Sequence, residues 1–293
     1  MLARETKIGA LIVLLGTFIW SFHPILIQRV TQSAPGLVVM VLTHTTALVV
    51  ASIFFLAKGN FSGLFKKHLY RDQLWAAFLI VILPMTLFYT GARLTSGVNA
   101  SVLLLSELLF TLPLAAWNGE SITRAKLIGS GAILLGSFLV LFRGFDHFSW
   151  GDVLIILSTA SYPFGNFISK RLLKEISPET LLLSRLALGL PALFLISLIF
   201  APGYNYGSVF KAHWLTIIVA GGFCLAISKI MWFNGIKRLE ISQALPLGLT
   251  FPVFSLITLV ALGWETVSLQ QFFGILCLFI GVYYIVFPKS RLV

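Results

Sequence analysis

Two stretches of the sequence share one pattern and decide the fold: residues 94–142, LTSGVNASVLLLSELLFTLPLAAWNGESITRAKLIGSGAILLGSFLVLF, and residues 238–287, RLEISQALPLGLTFPVFSLITLVALGWETVSLQQFFGILCLFIGVYYIVF. Each stretch has an apolar segment, then a turn with a glutamate, then an apolar segment marked by glycines. Equivalent residues recur about 145 positions apart: Gly91 with Gly235, Glu120 with Glu265, Gly129 with Gly274 and Gly136 with Gly281. This repeat predicts a chain of two similar halves.

The composition is that of a membrane protein. The chain has 293 residues, of which 58% are hydrophobic and 11% charged, and its mean hydropathy is +0.97. Each span needs about 20 apolar residues to cross roughly 30 Å of hydrocarbon, so the spans use up most of the chain and leave no room for a soluble domain. The net charge of +11 lies almost entirely between the apolar segments. It therefore indicates orientation in the bilayer and not nucleic-acid binding.

Ten apolar segments are predicted to be transmembrane helices. They cover residues 8–28, 36–57, 74–92, 98–117, 126–142, 152–169, 180–200, 214–236, 242–262 and 269–287. Because each half holds five segments and five is odd, the second half must cross the bilayer in the opposite sense to the first. The predicted fold is an all-α polytopic membrane protein with two inverted five-helix repeats, residues 1–145 and 146–293.

The distribution of basic residues predicts the orientation. Of the 21 Lys and Arg residues, 15 lie in segments on the side of the N-terminus. The opposite side has only four, Arg29, Arg93, Arg143 and Lys211. Since short loops rich in Lys and Arg stay in the cytoplasm, we expect both termini to be cytoplasmic in a multi-pass protein of the cytoplasmic (inner) membrane.

The repeated stretches resemble the EamA-like domain of the drug/metabolite transporter superfamily. The family's "lePvf" motif is matched by SELLF at residues 106–110 and by TFPVF at residues 250–254, and its "lgErlt" turn by GES at 119–121 and WET at 264–266. Trp20, in FIWSFHP, stands where the family usually has "WG" in the first span. The resemblance covers the whole chain. It implies a ten-helix bundle, a central cavity built mainly from spans 1, 3, 4, 6, 8 and 9, and transport of small metabolites such as amino acids.

Four ionisable side chains lie inside the apolar segments: His44, Glu107, Arg185 and Lys229. Each costs at least about 2.5 to 3.5 kcal/mol near a helix centre, so such groups normally face a cavity or a partner. Because Glu107 and Lys229 lie on spans that line the family's cavity, they are candidates to contact the substrate or each other. The alternative is a fixed structural ion pair. The resemblance implies that the seventh span, which holds Arg185, is peripheral, so we expect a structural role for Arg185, and we expect one for His44 as well.

Polar residues form a stripe on the sixth segment at helical three- and four-residue steps. They are Ser158, Ser161, Tyr162, Gly165, Asn166 and Ser169. The first segment has a comparable face with Thr17, Trp20, Ser21, Pro24 and Gln28, and with His23 beside it. Such stripes do not face lipid, so they predict cavity walls or hydrogen bonds to neighbouring helices. Tyr89, Trp232 and Asn234 are further candidates to line the cavity.

Prolines occur in corresponding segments of the two halves. Pro24 corresponds to Pro163, and Pro113 corresponds to Pro246 and Pro252. Paired breaks of this kind are typical of the binding region of a transporter, because they free backbone groups and permit bending. These prolines are therefore predicted to be kink or gating positions, with a kink of no functional role as the alternative.

Glycines spaced by seven residues mark the last segment of each half. Gly129 and Gly136 share one helix face, and so do Gly274 and Gly281. Small residues allow close helix contact in lipid, either within one chain or at a dimer interface. The predicted state is a monomer or a weak homodimer.

These features favour a secondary transporter that moves a small metabolite, an amino acid or a related amphipathic solute, by alternating access. Export is the predicted direction, and Glu107 is the candidate for proton coupling. The sequence has no GxxxxGK[ST] loop, no HExxH and no GxSxG, and predicts no cofactor, no metal and no enzymatic activity. An intramembrane enzyme and a passive channel are the alternatives.

Overall fold

The computed structural model describes residues 2–58, 66–91, 94–95, 100, 102–142 and 148–287. For residues 2, 3 and 28 it describes the backbone alone. The described residues contain helices and turns but no strand. The helices are α1 (Leu2–Thr31), α2 (Gly36–Lys58), α3 (Lys67–Gly91), α4 (Leu104–Trp117), α5 (Arg124–Leu141), α6 (Trp150–Leu172), α7 (Pro178–Phe200), α8 (Tyr206–Ile236), α9 (Ile241–Ala261) and α10 (Leu269–Val286).

Eight of these helices are long and apolar enough to cross a membrane, and α4 is a shorter apolar helix. The remaining one, α6, has the length but carries the polar stripe. The ten predicted segments agree with these helices to within a few residues, apart from the earlier starts of α1, α3 and α8. The predicted boundaries at residues 92 and 98, the junction at 143–147 and the basic residues Arg93, Arg143, Lys289 and Arg291 lie outside the described residues.

Hydroxyl residues begin several of the helices. The Thr123 side chain accepts a hydrogen bond from the backbone N–H of Lys126 at the start of α5. At the start of α7, the Ser177 side chain accepts one from the backbone N–H of Thr180. Capping boxes at Ser149 and Ser268 begin α6 and α10. These caps satisfy N–H groups that the first helical turn leaves without a partner. They explain why the chain turns at these points.

Apolar side chains cover the outside of the bundle, and polar ones lie inside. On α6, Leu157 and Phe164 are about half exposed, whereas Ser158 and Asn166 are buried. The predicted polar stripe therefore faces other helices, as a segment in lipid requires.

Helices α5 and α10 pack in antiparallel contact through the glycines that mark the end of each half. A Cβ atom built on Gly136 would lie 2.6 Å from the carbonyl oxygen of Gly274, and one built on Gly281 would lie 2.6 Å from that of Gly129. Only glycine permits this approach. These residues therefore pack within one chain, in agreement with the intramolecular alternative.

The two halves also interlock through a second pair of related contacts. Helix α3 packs on α6, where a Cβ atom on Gly91 would lie 2.7 Å from the carbonyl oxygen of Gly151. Its counterpart is the contact of α8 with α1, where Gly235 approaches the carbonyl oxygen of Gly9. Each contact joins a helix of one half to a helix of the other, so the interior of the bundle is built from both halves.

Four helices depart from regular α geometry, in two related pairs. Helix α3 contains a π-helical segment at Phe78–Ile82, and α8 contains one at Val219–Ile227. Helix α4 contains a 3-10 turn at Leu104–Ser106, directly after the α-helical residues Val102 and Leu103, and α9 is interrupted between Gly248 and Phe251. These positions correspond under the spacing of about 145 residues, so the irregularities belong to the repeat.

Specific residues maintain these irregular segments. Pro252 cannot donate the backbone hydrogen bond that would continue α9 past its interruption, and Ser137 on α5 donates a hydrogen bond of 2.7 Å to the carbonyl oxygen of Leu249. Beside the π-helical segment of α8, the Thr46 hydroxyl lies 3.2 Å from the carbonyl oxygen of Ile217 and 2.9 Å from that of Thr43 in its own helix, so the two oxygens share its proton. Side chains of neighbouring helices thus donate hydrogen bonds to backbone carbonyl oxygens at the irregular segments.

Candidate functional site

A group of polar and aromatic side chains from six helices meets inside the bundle, and we call it the polar centre. It comprises Trp20 and His23 on α1, His44 on α2, Glu107 on α4, Tyr162 and Asn166 on α6, Arg185 on α7 and Lys229 on α8. Both halves contribute, because the irregular helices α4 and α8 meet the polar faces of α1 and α6.

Glu107 contacts the polar stripe of α6. The Asn166 side-chain amide donates to the Glu107 carboxylate at 3.4 Å. The carboxylate also interacts electrostatically with Tyr162 and Lys229. Glu107 is the first α-helical residue after the 3-10 turn of α4. The irregular turn therefore sets the direction in which this carboxylate points.

Lys229 is the second residue after the π-helical segment of α8 and reaches the α1 aromatic pair. Its Nζ lies 4.7 Å from the centroid of the Trp20 ring. The Trp20 ring stacks on His23 at 4.4 Å with an interplanar angle of 11°. In the described part of the chain, Lys229 forms no ion pair within 4.0 Å. The fixed Glu107–Lys229 ion pair that the sequence left open is thus not formed.

Arg185 belongs to the polar centre, although the sequence predicted a structural role on a peripheral helix. Only 4% of the residue is exposed. Its guanidinium lies 4.8 Å from the Phe233 ring, and its Nε has no hydrogen-bond partner. It interacts electrostatically with Tyr162 and Lys229. The detectable sequence signal was an arginine inside an apolar segment, which needs a partner or a cavity.

The other predicted site residues differ in their placement. His44 is packed, and its Nδ1 lies 2.8 Å from the Met40 carbonyl oxygen. Tyr89 packs beside Gly36 and interacts electrostatically with Tyr162. The Trp232 ring lies against Gly248, where a Cβ atom would be 3.2 Å from it.

Asn234 bonds within its own helix, because its amide donates to the Ile230 carbonyl oxygen at 2.8 Å. No hydrogen bond between described residues joins it to the polar centre. Helices α1 and α6 continue through Pro24 and Pro163, and α4 continues through Pro113. The interruption of α9 lies between Pro246 and Pro252.

Ion pairs join the two halves on the side of the N-terminus, which we call the N-side. Seven pairs form among the described residues: Lys58–Glu179, Lys66–Glu175, His68–Glu175, Lys126–Glu240, Lys170–Glu120, Arg171–Asp72 and Arg238–Glu5. The His68 pair carries charge on both partners only when His68 is protonated. Every pair joins a residue before position 145 to one after it. The N-side ends of the halves are thus held together.

Glu120, in the turn between α4 and α5, accepts backbone hydrogen bonds in addition to forming its ion pair. Its carboxylate accepts hydrogen bonds from the backbone N–H groups of Ile241 at 2.7 Å and Ser242 at 2.9 Å, and from Lys170 Nζ at 3.1 Å. Burial alone would raise the pKa of this carboxyl group, but the two backbone hydrogen bonds and the charge of Lys170 together outweigh it and lower the pKa. Glu120 therefore binds the N-terminus of α9 as an anion.

Two surface concavities lie away from the polar centre. An open groove of about 550 Å³ lies at the turn between α9 and α10, beside Trp264 and Gln270. A second, of about 410 Å³, is lined mainly by apolar residues of α4 and α5, among them Leu109 and Leu135. Both are open to the outside, and the second has the character of a lipid-facing groove. The polar centre is the better candidate site, because polar side chains from both halves converge only where lipid is excluded.

Comparison with known proteins identifies the family. The model of the EamA-like transporter family matches residues 7–142 and again residues 149–287. A solved structure, described only as the crystal structure of a protein, superposes with a TM-score of 0.79 at 19% identity, over 95% of this chain and 98% of that one. It shows the fold alone. None of the curated proteins matches this chain. With both halves covered by the family model, the chain belongs to the EamA-like transporter family.

Proposed function

We propose that this protein is a secondary transporter that carries a small metabolite, an amino acid or a related amphipathic solute, by alternating access. One observation supports it above the others: the polar centre combines Trp20 and Glu107 of the first half with Asn166 and Lys229 of the second. A site between two inverted repeats becomes accessible to each side in turn when the repeats rock against each other. Export is the proposed direction.

In the proposed topology all ten helices cross the cytoplasmic membrane, α4 and α6 included, and the repeats are residues 1–145 and 146–293. Both termini are cytoplasmic, since 15 of the 21 Lys and Arg residues lie on the N-side. Labelling of single cysteines tests this after replacement of Cys224 and Cys277. A membrane-impermeant maleimide added outside should label Lys211→Cys and not Lys174→Cys, both of which are exposed positions. The reverse result contradicts the topology.

The seven N-side ion pairs are the proposed cytoplasmic gate. They join the two halves at the end that must open to admit solute from the cytoplasm. The exposed pairs among them, such as His68–Glu175, contribute only about 0 to 1 kcal/mol each, whereas the pairs of Glu179, Lys126 and Glu120 each have a mostly buried partner. The irregular segments of α3, α4, α8 and α9 provide bending points on both sides of the polar centre.

Counterflow in proteoliposomes tests the transport proposal. Vesicles loaded with unlabelled amino acids should accumulate labelled solute transiently and saturably, and the solute should be recovered intact. Non-saturating flux without counterflow indicates a channel, and a chemically altered solute indicates an enzyme.

The variants Glu107→Gln and Lys229→Met should lower the counterflow rate at normal expression. Lys211→Met is the matched control, because Lys211 lies in the part of α8 before the kink at His213 and at an exposed position. Normal affinity and rate in both site variants removes these residues from the site. For proton coupling through Glu107, the pH dependence of net solute flux driven by an imposed proton gradient should be lost in Glu107→Gln. A pH dependence equal to that of the wild type contradicts it.

A further inference from the structure

The polar centre contains more positive than negative charge. Two basic side chains, Lys229 and Arg185, share the centre with a single described carboxyl group, that of Glu107, and they carry two positive charges when both are protonated. The other described acidic residues form the N-side ion pairs (Glu5, Asp72, Glu120, Glu175, Glu179 and Glu240), cap the start of α6 (Asp152) or lie in the turn between α9 and α10 (Glu265). An ionised Glu107 leaves the centre with one excess positive charge, and a protonated Glu107 leaves it with two. Protonation of His23 or His44 only increases the excess.

Neither cation forms an ion pair within 4.0 Å with a described carboxylate. Lys229 has no carboxylate within 4.0 Å among the described residues, and its contact is with the face of Trp20. The Arg185 guanidinium contacts the face of Phe233, and its Nε is buried without a hydrogen-bond partner. Aromatic faces attract cations but carry no net charge. A buried charge without a counter-ion is unstable, so the centre lacks an anion.

A third polar group is also left without a partner. The Nε2 atom of His23 is buried and makes no hydrogen bond within the described part of the chain. His23 stacks on Trp20, the ring that Lys229 contacts. The ammonium of Lys229 and this imidazole nitrogen therefore lie beside one aromatic face. Trp20 and Tyr162 supply apolar surface next to these polar groups.

We propose that the transported solute is an organic anion whose carboxylate binds between Lys229 and Arg185, with its apolar part against Trp20 and Tyr162. This rests on the proposed transport function. With Glu107 ionised, one carboxylate makes the centre neutral. A zwitterion leaves the single excess positive charge in place, an organic cation raises it to two, and a phosphate monoester dianion reverses its sign.

Binding to the purified protein tests the charge of the solute. We would measure the melting temperature in detergent with three matched series built on alanine, leucine and phenylalanine. In each series the N-acetyl derivative is the anion, the free amino acid the zwitterion and the methyl ester the cation. The N-acetyl derivative of at least one series should raise the melting temperature more than its zwitterion, and the ester should have no effect. A ligand that binds only the folded state raises stability by mass action.

Variants assign the binding to the two cations. Lys229→Met and Arg185→Met should each weaken N-acetyl derivative binding by about 10- to 100-fold, the usual effect of losing a charge-assisted hydrogen bond. Lys211→Met should leave it unchanged. Glu107→Gln removes the one interior carboxylate among the described residues and should keep or tighten anion binding. If one of the cation variants does not fold, the wild-type series and Glu107→Gln still decide the question.

The outcomes separate this inference from the transport proposal. A larger shift from the esters or the zwitterions, no shift from any N-acetyl derivative, or a larger shift from phenyl phosphate than from N-acetylphenylalanine overturns the organic-carboxylate assignment. Counterflow of an ester or a free amino acid would leave the transporter standing with a different substrate. Binding of the N-acetyl derivative without counterflow or net flux would support the anion-binding site and contradict the transport proposal.

Discussion

Replacement of Glu120 by alanine should destabilise the protein more than any other loss of an N-side charge. The Glu120 side chain is only 8% exposed. It holds the first two backbone N–H groups of α9 at 2.7 and 2.9 Å. Hydrogen bonds to a charged group contribute about 1.5 to 3 kcal/mol each, but other groups and water can partly replace them at a helix end. We therefore expect Glu120→Ala to cost about 3 kcal/mol.

The assay is thermal unfolding of the purified protein in detergent. At about 2 to 4 °C per kcal/mol for a chain of this size, Glu120→Ala should lower the melting temperature by roughly 6 to 12 °C. Glu120→Gln keeps one acceptor oxygen and should lose about half as much. The matched control is Glu175→Gln, since Glu175 is an exposed N-side carboxylate and exposed pairs contribute little.

Equal melting temperatures for Glu120→Ala and Glu175→Gln would show that Glu120 does not hold the start of α9. A large fall in melting temperature for Glu120→Gln together with none for Glu120→Ala would also refute the reasoning, because the Glu120 carboxylate would then not stabilise the protein. The expected order of melting temperatures is wild type and Glu175→Gln highest, then Glu120→Gln, then Glu120→Ala.

The remaining predictions concern pH, helix contact and backbone satisfaction. Because the folded-state pKa of Glu120 lies below its ordinary value of 4.5, the melting-temperature difference between wild type and Glu120→Gln should be constant above pH 4.5 and shrink as the pH falls through the folded-state pKa; a difference that grows on acidification contradicts this. Gly136→Ala should cost about 1 to 3 kcal/mol, because its Cβ would lie 2.6 Å from a backbone oxygen. Gly131→Ala on the same helix meets nothing within 4 Å and should be neutral or stabilising by up to about 1 kcal/mol; equal melting temperatures for these two alanine variants exclude the tight contact. Thr46→Val should cost about 1 kcal/mol in thermal unfolding, because the Ile217 carbonyl oxygen loses the hydroxyl that it shares with the Thr43 carbonyl oxygen, and an unchanged melting temperature shows that this hydroxyl does not stabilise the Ile217 oxygen.

Much of the architecture was predictable because a bilayer imposes simple rules on a sequence. A run of apolar residues must be a helix of nearly fixed length, so the helices appeared close to their predicted positions. The glycine pairs were detectable for a similar reason, since close helix contact in lipid requires small residues. Which of the possible partners they contact was decided only by packing.

The polar centre was predictable in part. Periodicity on α6 identified Tyr162 and Asn166, and the cost of interior charge identified Glu107 and Lys229. Arg185 was assigned a structural role because its helix is peripheral in the family. Asn234 was included from its position near the presumed cavity, but its amide bonds to its own helix. Which way a side chain points depends on local helix geometry, and the π-helical and 3-10 segments change that geometry without a signal in residue periodicity.

By itself, the sequence determined that the chain lies in a membrane, that it consists of two related halves and that a few polar residues sit in its apolar segments. Hydropathy and spacing are properties of the chain read along its length, so no folding is needed to see them. Only the tertiary structure decided that Arg185 joins Lys229 at the polar centre, that Glu107 and Lys229 form no direct ion pair, and that the N-side ion pairs all connect one half to the other. These are contacts between helices distant in sequence, and they depend on the angles and offsets at which glycine-rich surfaces allow the helices to approach.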